Sequence, residues 1–124
     1  MDMKNNDDIL TSCRRIESKI QELETHRESI LDAATKKATT LSEYRKKKAV
    51  TVLKLRNKMI PSFEGIVISY PLAVTLVDSI ATGICYKELL YRHDAEGSYK
   101  GLVTIIDSIK AELNGLQSIN KHLE

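Results

Sequence analysis

From Ile9 onward, apolar side chains return at alternating steps of four and three: Ile9, Cys13, Ile16, Ile20, Leu23, then Ile30 and Ala34, with Arg27 breaking the series. That is the heptad-like stripe of an amphipathic helix. It loosens through "TKKATT" and resumes with Leu41, Ala49, Val52 and Met59. Asn5-Asn6-Asp7-Asp8 offers N-cap candidates ahead of it, and no glycine or proline occurs before Pro61. The pattern predicts one helix from about 7 to 59, roughly 75 Å long at 1.5 Å per residue. A stripe of that length needs a second helix or a second chain to cover it.

"IPSFEGIVISYP", residues 60–71, is the one clear break. Pro61 ends the first helix, Gly65 permits a turn, and Pro71 suits the first turn of the next helix. "GIVIS" has the composition of a short extended segment, with no obvious strand to pair with. Beyond Pro71, Val74, Val77, Ile80, Ala81, Ile84, Cys85 and Leu89 mark a second amphipathic stretch. "RHDAEGS" is a possible interruption, with Asp94 or Ser98 as a cap. Tyr99, Leu102, Ile106, Ile109, Leu113 and Leu116 then alternate at three and four without a miss, and Asn120 and Leu123 keep the register. Residues 72–122 read either as one bent helix or as two. The expected fold is all-α: one helical domain, a long hairpin with a loop at 60–71, associating as a coiled-coil-like homo-oligomer through Tyr99, Leu102, Ile106, Ile109, Leu113 and Leu116.

Composition narrows the class. The 124 residues are 42% hydrophobic and 29% charged, enough for one modest core. No apolar run approaches the roughly 20 residues that cross a bilayer. "MDMKNNDDIL" is too acidic for a signal peptide, so the expected setting is a reducing cytoplasm. Cys13 and Cys85 are too few for a disulfide framework and read as reduced packing residues. His26, His93 and His122 lack metal-ligand spacing, and His93-Asp94 has no nucleophile tied to it. With no phosphate loop or catalytic constellation either, no enzyme, cofactor or metal is expected.

Charge changes the picture most. Residues 1–62 hold 14 Lys/Arg against 9 Asp/Glu, whereas residues 63–124 hold 5 against 8. Between 36 and 58, nine basic residues face Glu43 alone. At about 100° per residue, Lys36, Lys47, Lys54 and Lys58 form one polar stripe, with Thr40, Glu43 and Thr51 in its gaps. Arg45 and Arg56 fall instead among Leu41, Val52 and Met59, on the face expected to be buried. An unpaired arginine there is costly, so each needs an acid or a groove. Lys46 and Lys48 add positive field. Tyr44 is open between two roles, a core residue or a ring that stacks on an unstacked base.

"KKKAVTVLKLR", residues 46–56, resembles the basic end of the long first helix in phage UvsY-type recombination mediators. "SYKGLVTIIDSIKAELNGLQSINKHL", residues 98–123, is similar to that family's closing helix. The two stretches cover about a third of the chain; the apolar "GIVISYPLAV" link and the acidic-edged helix at 17–32 depart from the pattern. The resemblance implies single-stranded DNA binding in which Lys54 and Arg56 match a Lys-x-Arg pair, oligomer contacts in the closing helix, and a recombinase or replication protein as partner. The competing expectation is an adaptor whose basic helix docks an acidic protein. A membrane-surface role for 36–58 is not expected, because the stripe lacks Trp and Phe for insertion.

Overall fold

The computed structural model describes residues 3–123, with side-chain surroundings for residues 7–122. It is an all-α hairpin in which α1 (Met3–Arg56) packs against α3 (Tyr86–Leu123), with α2 (Val74–Ile84) before α3 and a small ribbon of β1 (Ser62–Phe63) and β2 (Ile66–Val67). Among the described residues, no helix is long and apolar enough to cross a membrane. The chain divides into two compact units, one of residues 1–34 with 98–124 and one of residues 35–97.

In the first unit, α1 and α3 supply the two faces of one seam. Lys19 Nζ reaches Glu112 at 2.6 Å, and Cys13 Sγ lies 3.9 Å from the side-chain oxygen of Asn120. Ile109 is 5% exposed, and Tyr99, Leu102, Ile106, Leu113 and Leu116 are half-buried. The stripe expected to bind other chains is therefore occupied within its own. Ile20 stands exposed while Lys19 is half-buried. The lysine stem packs along apolar surface while its ammonium reaches the acid, which moves the seam by one residue.

The second unit holds the core. Leu55, Val77 and Ala81 are buried together, with Val52, Ile60, Ile68, Leu72 and Ile80 against them. α1 ends in a Schellman turn: Met59 N–H donates to the Lys54 carbonyl and Lys58 N–H to that of Leu55, with Lys58 at φ 59°. The chain then pairs Phe63 with Ile66 and Ser62 with Val67 across a turn at Glu64 and Gly65. "GIVIS" thus finds its strand partner two residues upstream. Ile68 N–H donates to the Pro61 carbonyl and Tyr70 O–H to that of Ile60, which closes the loop onto itself. The Phe63 ring lies against Gly83, where an added Cβ would stand 3.1 Å from it.

Two expected boundaries are corrected. Asn5 to Asp8 lie inside α1, which is helical from Met3, so they do not cap it. The second half divides at Cys85, whereas "RHDAEGS" is continuous helix. Ala95 is buried on one side of that stretch and Ile109 beyond it, so packing outweighs the weak helix propensity of Gly97.

An added Cβ at Gly97 meets nothing within 4 Å. Gly97→Ala should therefore stabilise the chain by about 0.5–1 kcal/mol, whereas Leu55→Ala should cost about 2–5 kcal/mol. Urea denaturation followed by circular dichroism measures both.

Candidate nucleic-acid interface

The C-terminal part of α1 buries Thr40, Tyr44, Thr51 and Leu55, a stripe at steps of four and three through half-buried Lys48. The threonines, expected among the solvated lysines, can lie there because each hydroxyl donates back to a carbonyl four residues earlier. Thr40 bonds Lys36 at 2.9 Å and Thr51 bonds Lys47 at 2.8 Å. Thr51 Oγ1 also stands 3.6 Å from the buried Cys85 sulfur. The helix is thereby rotated from its expected setting, and Arg45, Arg56 and Met59 point outward, all three exposed. The cost of a buried arginine does not arise.

Tyr44 takes the core alternative. It is 6% exposed, with the Arg92 guanidinium 5.5 Å from the ring centroid and Lys48 Nζ at 6.0 Å. Both distances are in the range of cation–π attraction. A ring held this way is closed to base stacking.

The basic residues separate into two groups. Lys47 Nζ donates to Glu88 Oε1 at 2.7 Å and Lys48 Nζ to Asp78 Oδ1 at 2.9 Å, both acids belonging to the second half of the chain. The hydrogen bond from Lys47 holds the Glu88 carboxyl below the usual carboxylate range, and the two acids hold their lysines above the usual lysine range. Lys36, Arg45, Lys46, Lys54, Arg56 and Lys58 are exposed, and none of them has an acidic partner among the described residues.

A groove of about 630 Å³ opens beside Arg45, the one member of the second group that lines it, together with Tyr44, Lys48, Ala49, Val52 and Leu53 of α1 and Arg92 of α3. Arg92 is tied by its Nε to Glu96 at 3.1 Å, which fixes the far wall. Arg45 and Arg56 lie within about 20° of each other on α1 and about 16 Å apart along it. Lys54 lies about 160° around α1 from Arg56, so the Lys-x-Arg pair does not share a face, and Lys58 follows the helix in its terminating turn. Arg92 was missed in the sequence because nothing local marks it; only the hairpin brings it to Tyr44. Among the described residues there is no cluster of His, Cys, Asp and Glu able to hold a metal.

Comparison with known protein families, with curated proteins and with solved structures returned no match.

The Lys47–Glu88 pair gives a signed pH dependence. Because Glu88 has a lowered value in the fold, its contribution is present above the ordinary 4.5 and is lost as pH falls through the lowered value. Lys47 has a raised value, so its contribution is intact below the ordinary 10.5 and lost only as pH rises through the raised one. Glu88→Gln should lower the melting temperature at neutral pH and make its decline on acidification shallower than in the parent. Parallel acid limbs for the two proteins would remove this pair from the account.

Proposed function

We propose that this chain is a non-enzymatic accessory protein that holds single-stranded DNA along the Arg45–Arg56 face of α1. The observation that supports this reading is the unpaired state of those two exposed arginines, which share one face of α1, Arg45 also lining a groove whose α1 wall carries Ala49, Val52 and Leu53. Guanidinium groups engage phosphates bidentately, and Ala49, Val52 and Leu53 offer apolar contact to the faces of unstacked bases. Lys46, Lys54, Lys58 and Lys36 contribute field around the same helix end. Lys47 and Lys48, spent on acids, contribute least. The resemblance of residues 46–56 and 98–123 to recombination mediators supports reading this binding as part of phage recombination or replication, with a recombinase or replication protein as partner.

A second reading is favoured by a separate observation. Phe63, Ile66, Val67, Leu72, Leu76 and Ile80 line an apolar groove of about 360 Å³ at the loop, with Ile66 71% and Val67 77% exposed. Apolar surface in the same unit as the exposed Lys54 and Lys58 is what an adaptor would offer an acidic protein segment.

Fluorescence anisotropy with a labelled single-stranded oligonucleotide at several salt concentrations separates the two. Each neutralised phosphate contributes about −0.7 to the slope of log affinity against log salt. Arg45→Ala with Arg56→Ala should flatten that slope by about 1.4 and leave the melting temperature unchanged. Ile66→Asp should leave binding as it was. Parental affinity and slope in the double arginine variant would end the DNA reading.

A further inference from the structure

The first unit carries a surface that neither reading uses. Asp8, Thr11, Ser12 and Arg15 of α1, with Leu116 and Ile119 of α3, line a groove of about 290 Å³. It continues along the same side into one of about 470 Å³, bordered by Ser18 and Gly115. Ile119, in both, is 55% exposed.

Two observations say what covers it. The first is charge. Lys19 is committed to Glu22 and Glu112, but Asp8 and Arg15 are exposed and form no ion pair among the described residues. They lie two helical turns apart on one face of α1, about 10 Å along its axis. A face with one free anion and one free cation in line is complementary to its own copy turned through 180°. The second is Ser12, between them on the same side. It is 6% exposed, and its hydroxyl has no hydrogen-bond partner although the groove passes over it. A buried hydroxyl left unpaired is unfavourable, and helix interiors ordinarily return it to a carbonyl, as Thr40 and Thr51 do. The groove carries balanced charge, which gives an anionic strand or lipid surface no advantage.

We propose that a second copy of this chain covers this groove, with the α1 helices antiparallel about a twofold axis near Ser12. Arg15 of each copy then meets Asp8 of the other in two equivalent pairs. The two grooves are then apposed above the buried Ser12 of each copy, and Ile119 loses its exposure to water. The overlap of two helix pairs over these turns makes a short four-helix bundle. It meets the Tyr99–Leu116 stripe only at Leu116, which borders the groove, and it does not depend on the DNA reading, whose groove lies in the other unit.

Sedimentation velocity of the full chain across a concentration series tests the arrangement. The parent should pass from monomer to dimer with rising concentration. Arg15→Asp and Asp8→Arg should each weaken dimerisation at least about tenfold by placing like charges across the axis twice. The double variant D8R/R15D should restore it to within about threefold of the parent, since the pairs are re-formed in reverse. Circular dichroism should show unchanged helicity in all of them, and Ile119→Asp should also give monomer. A parent that stays monomeric throughout, a dimer indifferent to the single changes, or a double variant as weak as the singles would each overturn the proposal.

Discussion

A helix of 54 residues with an apolar stripe along much of its length has to be covered, and everything else in this chain follows from how that is done. The cover is the returning chain, α3 in the first unit and α3 with α2 and the loop in the second. Seen in α1, the covered positions run Ser12, Ile16, Lys19, Leu23, His26, Ile30, Ala33, Lys37, Thr40, Tyr44, Lys48, Thr51 and Leu55, at steps of four and three with one extra four. More than half are polar. Such a seam is tolerable because polar groups in it are paired, Lys19 and Lys48 with carboxylates from α3 and α2, Thr40 and Thr51 with the helix's own carbonyls. Ser12 has no such partner, and it lies under a groove.

Satisfying the seam also sorts the charges. Glu88 and Asp78 draw two lysines of the "RKKK" run toward the second half of the chain, and Tyr44 is closed in between Arg92 and Lys48. What remains outward is a smaller, differently placed set of cations than the run suggests. A surface ion pair contributes little to stability on its own. Here its larger effect is on function, because a lysine committed to a carboxylate is less available to a phosphate.

The sequence revealed the architecture well and the register poorly. Two long helical stretches, the break after Met59 and the unbroken Tyr99–Leu116 stripe were all legible, since three-and-four periodicity and the Pro/Gly loop are local signals. The face of α1 was not. Reading only apolar residues as buried put Arg45 and Arg56 inside and Thr40 and Thr51 outside, when back-bonded threonines and stem-packed lysines reverse this. The same habit assigned the α3 stripe to other chains, because periodicity reports that a face is covered without naming the cover. Arg92 and the pairing of Lys47 with Glu88, 41 residues apart, are products of the turn and have no local signature.

The central claim is that the seam closes within one chain. Cys13 and Asn120 face each other in it, sulfur to side-chain oxygen at 3.9 Å. Replacing Asn120 by Cys and oxidising dilute protein should join residues 13 and 120 within single chains. Peptide mapping of a mixture of isotopically light and heavy protein should then find only unmixed cross-links. Mixed light–heavy cross-links between residues 13 and 120 as the main product would mean that α3 covers a neighbour's α1, contradicting the account.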